Sequence, residues 1–194
     1  MTLFGGLVLG AVDLLLQRAL PYPWADLANS SAIWALAAYG LGLWVRTPWW
    51  RAAIAGAVLL FLAVPAYYLT ATIIQHDALA MMWDPAALMW MAFGILAGLI
   101  FGFGATLVRS SGWQQLAGVA LPGAVLFAEA AVAALRDGDG GYRRDQIHTA
   151  IIEVVLGVAV ILVVGRGTRQ RLGGLLLSVP LAVIGFAAFR TGGF

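Results

Sequence analysis

Residues 86–108 read AALMWMAFGILAGLIFGFGATLV, a run without one charged side chain. Wound as an α-helix at 1.5 Å per residue, such a run reaches about 35 Å, enough to cross a hydrocarbon core of roughly 30 Å. Six more apolar stretches flank it: Leu3–Leu20, Ser31–Val45, Arg51–Ile74, Gln114–Leu135, Ile147–Val164 and Gly173–Phe189. The pattern predicts an all-α, polytopic integral membrane protein, a bundle of seven transmembrane helices forming one domain over residues 1–194. The second and seventh stretches are the shortest, so six spans are the alternative. Connecting segments such as PYPWADLANS, RDGDGGYRRDQ and RGTRQRLGG are too short to form separate domains.

Composition agrees with that reading. Hydrophobic residues make up 62% of the 194 positions and charged residues 10%, and the mean hydropathy is +0.93. That leaves too little polar surface to cover a soluble core. The chain has no cysteine, which excludes disulfides, thiolate metal sites and a cysteine nucleophile. His76 and His148 fall in loops or at a helix end, and neither a metal nor a cofactor is expected. A net charge of +2 with dispersed arginines argues against nucleic acid as a partner. The expected partners are the lipid bilayer and a small molecule, with a second copy or another membrane subunit as further options. Every basic residue is Arg, as GC-rich bacterial genomes tend to encode, which suggests a bacterial cytoplasmic membrane. Met1–Phe4 has no basic segment of a secretory signal, so the first helix is expected to be retained.

Orientation rests on the arginines. Seven spans put the N-terminus on the side of Arg46, Arg51, Arg109, Arg166, Arg169 and Arg171, against Arg18, Arg136, Arg143, Arg144 and Arg190 on the other. The RGTRQR run beside the sixth span tips the choice toward a cytoplasmic N-terminus.

Three acids lie inside apolar stretches: Asp13, Glu129 and Glu153. A charge at the centre of a membrane helix costs roughly 2.5–3.5 kcal/mol on insertion scales, so such residues face protein or a water-filled cavity. Counted from the ends of their spans, all three sit about 9–10 Å below the same membrane surface. They are expected to line one cavity. In the first span Gly6, Gly10, Asp13 and Gln17 recur at three- or four-residue steps and make one small, polar stripe. Gly94, Gly98 and Gly102 give the fourth span a face that a neighbouring helix can approach closely. Trp34, Tyr67, Tyr68 and Trp90 fall in the same half as the acids and are the aromatic candidates for the wall of the site. Trp24, Trp49, Trp50, Trp83 and Trp113 read as an interfacial belt. Pro65, Pro122 and Pro180 interrupt the third, fifth and seventh spans and free backbone carbonyls.

Other patterns carry less. The first and fourth spans share a GL-x-x-G start and an Arg end, and the third resembles the sixth, which would fit three-span units in inverted repeat. DGDGGYRRD lacks the spaced ligands of a calcium loop and reads as a solvated turn. Asn29 or Ser30 is expected to cap the second span. There is no Walker loop, G-x-S-x-G elbow, H-E-x-x-H helix or dinucleotide fingerprint, so an enzymatic role has no motif behind it.

The segments LPYPWADLANSSAIWALAAYGLG and PAYYLTA, with the Gly-rich first span, resemble an uncharacterised family of small multispan membrane proteins of actinobacteria. That resemblance implies a source and a membrane location and supplies no catalytic residue. In size and span number alone the chain is similar to substrate-capture subunits of vitamin uptake transporters and to integral-membrane terpene cyclases. Three functions follow. The first is binding or transport of a small cationic or amphipathic molecule in an outward-facing acidic and aromatic pocket of Asp13, Glu129, Glu153, Tyr67, Tyr68, Trp90, Trp34 and Gln17, with a carboxyl proton coupled to release. The second is acid catalysis on a lipid or isoprenoid, and the third a structural or accessory role in which the acids pair with Arg136, Arg144 or backbone donors.

Overall fold

The computed structural model describes residues 2–45, 48–136 and 138–192, and these hold helices and no strand. In chain order the helices are α1 (Thr2–Ala19), α2 (Trp24–Ala28), α3 (Ser31–Trp44), α4 (Trp49–Gln75), α5 (Pro85–Leu107), α6 (Gly112–Leu135), α7 (Gly140–Val164) and α8 (Thr168–Gly192), with a 3₁₀ turn at Leu79–Trp83. Met1, Arg46 and Asp137, used above for the signal, orientation and loop readings, lie outside the described residues.

Helix boundaries follow local chemistry. The Ser30 hydroxyl accepts the Ile33 backbone N–H at 3.2 Å and caps α3, as expected for one of the two candidates. Prolines stand at the starts of α4 (Pro48, just before it) and α5 (Pro85, its first residue), where a missing N–H costs nothing. α4 stops at His76, whose φ of 61° places it in the left-handed region that terminates helices. α4, α6 and α8 continue through Pro65, Pro122 and Pro180.

Among the described residues six helices are long and apolar enough to cross a membrane, and α3, at 14 residues, is a shorter apolar helix. At about 21 Å, α3 falls short of a bilayer core. The chain is thus an all-α, multi-pass membrane protein, and the seven apolar helices among its described residues include one sub-length member. Two boundaries differ from expectation. The seventh stretch is not short: it belongs to α8, of 25 residues. The GGYRRDQ part of the supposed solvated turn is the start of α7, which begins at Gly140 instead of Ile147. There the helix outlasts its apolar run because polar side chains on one face find partners, as described below.

The chain divides into two compact units. Unit 1 comprises residues 1–20 and 34–105, and unit 2 residues 21–33 and 106–194. α5, the fourth stretch, belongs with α1 and α4, so the units do not follow the three-plus-three division that an inverted repeat of the first six spans would give.

In unit 1 the helices meet through glycine. A side chain at Gly6 would run into the Leu59 carbonyl and one at Gly10 into the Ala63 carbonyl, so α1 lies parallel to α4. Along α5, Gly94, Gly98 and Gly102 meet Leu60, Gly56 and Ala52 of α4, in antiparallel order. This is the close approach that the four-residue glycine spacing predicts. In unit 2, α6 runs antiparallel to α7 and parallel to α8: Gly123 faces Ile161, Phe127 faces Gly157, Leu116 faces Gly173 and Ala128 faces Gly185.

Large apolar side chains point outward. Val163 is 83% exposed and Leu176 is 76% exposed, an arrangement that water would penalise and lipid accommodates. Trp24, Trp49, Trp50, Trp83 and Trp113 are all exposed, as belt residues should be.

Candidate functional site

The sequence candidates fall into two groups, one in each unit. The first is built on α1, α3 and α4. Gly10 draws α1 against the backbone of α4 beside the Tyr67 amide. Asp13, one turn further on, is thereby buried, with 4% of its surface exposed. Its Oδ2 accepts the Gln17 amide N–H at 3.1 Å. Its Oδ1 is buried without a hydrogen-bond partner. The Trp34 side chain also faces the carboxyl group, and Tyr67 lies within reach of both Asp13 and Gln17. The Tyr67 and Tyr68 rings meet edge to face at 5.6 Å. Asp13, Gln17, Trp34, Tyr67 and Tyr68 thus lie together in unit 1, while Glu129 and Glu153, expected from sequence in the same site, belong to unit 2. Trp90 is more peripheral: it is 36% exposed on α5, its ring edge-on to Phe93.

An apolar groove of about 380 Å³ adjoins this group along α1 and α3, lined by residues that include Val8, Leu9, Val12, Ala37 and Leu41. Leu9 precedes Asp13 by one turn, while Ala37 and Leu41 follow Trp34 by one and two turns. The groove runs from Val12, the residue before Asp13, toward the start of α1, and the Asp13 side chain is not part of its lining. Its volume is within the range of small-molecule sites.

The second group lies in unit 2. Antiparallel packing of α6 on α7, fixed by Phe127 over Gly157 and by the contact of Ala130 and Ala133 with Ala150, sets Glu129 beside Glu153. Glu129 accepts three hydrogen bonds from the start of α3: the Ser30 hydroxyl at 2.7 Å, the Ser31 N–H at 3.1 Å and the Ala32 N–H at 2.6 Å. Two of these are among the four amides that a helix N-terminus leaves unpaired, and the local dipole favours a negative charge there. Glu129 is in effect a cap supplied by another helix. Arg136, two turns along α6, adds a favourable charge.

Glu153 is its opposite. It is completely buried, and neither carboxylate oxygen has a hydrogen-bond partner. Ser30, Glu129 and Asp26 lie near enough to act on it.

Three members of this group were missing from the sequence reading. Asp26 of α2 accepts from the Gln146 amide at 3.1 Å and from the Thr149 hydroxyl at 3.3 Å. Gln146, Thr149 and Glu153 share one face of α7 at i, i+3 and i+7. That spacing was readable, but only had α7 been extended past Ile147. Asp26 lies outside the spans, and burial holds its carboxyl above the usual value. The Thr149 hydrogen bond and Arg136 oppose that rise, and Asp145 adds to it.

A sequence model described as Family of unknown function (DUF6518) matches residues 1–192. No curated protein matches the chain, and no solved structure matches it.

Proposed function

For a chain that belongs to this family of unknown function, we propose a membrane-embedded binding or transport protein for a small amphipathic cation. The observation behind this reading is the buried, unpartnered Oδ1 of Asp13 among Trp34, Gln17 and Tyr67. An ammonium head supplies what that oxygen lacks, a charge-assisted donor. Trp34 and Tyr67 add the π-faces that attract a cation, worth about 0.5–2 kcal/mol each depending on desolvation. An apolar tail occupies the groove along Val8, Leu9, Val12, Ala37 and Leu41. A purely structural acid would have both oxygens paired, as Glu129 does. In this reading the chain resides in a bacterial cytoplasmic membrane with its N-terminus in the cytoplasm, and the ligand reaches Asp13 from the opposite side.

The test uses phenethylammonium as an amphipathic probe and ethanolammonium, with the same N–H donors, as one with a short, polar tail, with calorimetry on purified protein in detergent. Wild type should bind phenethylammonium more tightly than ethanolammonium. Asp13→Asn, which keeps the side chain's shape and the acceptor for Gln17, should weaken phenethylammonium at least tenfold with little change in melting temperature. Equal binding by wild type and Asp13→Asn would remove Asp13 from the site, and absence of binding by either probe would remove the ammonium reading.

A further inference from the structure

The two glutamates of unit 2 lie together, yet only one has its hydrogen bonds made. Glu129 spends both oxygens on the start of α3, with a hydroxyl and two backbone N–H groups donating to them. Those donors suit an anion, and the dipole of α3 does too. Glu153 has no donor on either oxygen and no exposed surface. The charged groups that act on it are Glu129 of α6 and Asp26 of α2, both acids. Arg136 acts favourably on Glu129 and on Asp26, and Asp145 of α7 faces Asp26. A second negative charge at Glu153 would be buried, unpaired and next to like charges, which proteins avoid by binding a cation or a proton.

The choice between those two follows from the donor set. Calcium or magnesium needs about six oxygen ligands, and both Glu129 oxygens already accept hydrogen bonds. Among the described residues no group of three or more His, Cys, Asp or Glu side chains could hold a metal ion. A proton needs only one oxygen and one acceptor. Ser30 lies beside Glu153, and its oxygen, which accepts from the Ile33 amide and donates to Glu129, has a lone pair left.

We propose that Glu153 is a proton-binding site, holding an exchangeable proton against Ser30 while Glu129 remains the anionic cap of α3. On uptake an O–H bond forms at one Glu153 oxygen and the carboxylate charge is cancelled; on release the proton returns to water and the pair carries two charges. Release therefore sets Glu153 in competition with Glu129 for the Ser30 hydroxyl. Proton occupancy is in this way tied to the grip on the N-terminus of α3.

The chain contains two glutamates, Glu129 and Glu153, so selective ¹³C labelling of glutamate carboxyls reports on this pair and on nothing else. Infrared spectra of labelled and unlabelled wild type at neutral pH in lipid nanodiscs should show one protonated carboxyl band and one carboxylate band that move on labelling. The protonated band should also shift in D₂O. In Glu153→Gln the protonated band should vanish and the carboxylate band persist. Two carboxylate bands with no labelled protonated band, a protonated band indifferent to D₂O, or one that survives Glu153→Gln would each overturn the proposal. Should Glu153→Gln fail to fold, the labelled wild type still decides whether one glutamate is protonated and exchanging.

Discussion

Glycine is used in opposite ways in the two units. In unit 1 it sets backbone on backbone: Gly6, Gly10, Gly42, Gly56, Gly98 and Gly102 each face a carbonyl oxygen of a neighbouring helix. In unit 2 it makes a socket for a side chain: Gly123 receives Ile161, Gly157 receives Phe127, Gly173 receives Leu116 and Gly174 receives Val119. Without a hydrophobic driving force between helices in lipid, close packing of small residues carries the association. Backbone contacts leave no rotamer to adjust, whereas a socket can give when the side chain in it turns. The acids follow suit. Asp13 lies one turn beyond a backbone contact, with side chains around it and an oxygen unspent. Glu129 spends itself on another helix's amides.

The largest effect is expected where the first kind of contact is broken. Gly98→Ala would press a methyl group into the carbonyl of Gly56 and the amide of Ala57. Overpacking usually costs about 1–3 kcal/mol, and with backbone on the receiving side the cost should reach or exceed the top of that range. The variant should appear as aggregated protein on size-exclusion chromatography. A monodisperse variant with near-wild-type melting would show that α4 and α5 can part without loss, and the contrast between the units would fall.

Next comes the interhelical cap. Glu129→Ala removes the acceptor for three donors, of which the Ala32 amide belongs to a fully buried residue. An unsatisfied buried donor costs about 1–3 kcal/mol, while the Ser31 amide, in a half-buried residue, can turn to water. A loss of roughly 2 kcal/mol is expected, with Glu129→Gln recovering about half of it because the amide oxygen still accepts. Chemical denaturation in mixed micelles measures both. If Gln and Ala cost the same, charge is what the α3 terminus requires, and hydrogen-bond acceptance is not.

Smaller again is Gly173→Ala. The added methyl would meet Leu116 Cδ2 at 2.8 Å, the far end of a flexible side chain. Rotation of Leu116 relieves that contact, and replacing helical glycine returns about 0.5–1 kcal/mol of chain entropy. A net change within about 1 kcal/mol is expected in the same denaturation assay. A loss as large as that of Gly98→Ala would mean that the sockets of unit 2 are as rigid as the backbone contacts of unit 1.

Much of this was legible in the chain. Uncharged runs such as 86–108 gave the membrane helices, and the glycines of α5 announced their own contact. Counting inward from helix ends put Asp13, Glu129 and Glu153 at one depth in one cavity; the structure sets Glu129 beside Glu153 on antiparallel α6 and α7, and Asp13 belongs to the other unit. The length of α7 was not legible, and the partners of Glu129 were foreseen only by kind, as Arg136 and backbone donors in the structural reading. α7 extends back to Gly140 through a largely exposed stretch that leads to Gln146, polar in sequence and buried in place; Gln146 and Thr149 share the partner Asp26, 120 and 123 positions away. Glu129 likewise reads as a lone acid until Ser30, 99 positions earlier, is brought to it. Local spacing cannot express such partners. A buried acid announces that something must satisfy it, and only the fold says whether that is a helix terminus or a vacant bond.

The smallest effect concerns Asp26, which tests whether the polar face of α7 serves unit 2 by charge or by hydrogen bonds alone. Burial holds its carboxyl above the ordinary value of 3.8 in spite of Thr149 and Arg136. The folded chain therefore keeps a proton that the unfolded chain has already lost, and ionising Asp26 weakens the fold. Its favourable contribution is complete below the unfolded value, declines as pH rises from 3.8 toward the higher folded value, and is absent above it. Asp26→Asn removes that titration while leaving an oxygen to accept from Gln146 and Thr149. Stability of the variant should accordingly decline less than that of wild type as pH is raised through this window, and at neutral pH the variant should be no less stable. Denaturation midpoints at several pH values provide the measurement. A variant weaker than wild type at neutral pH would show that Gln146, Thr149 and Arg136 need the charge of Asp26, and that the cluster is held by electrostatics in unit 2 where the geometry indicates hydrogen bonding.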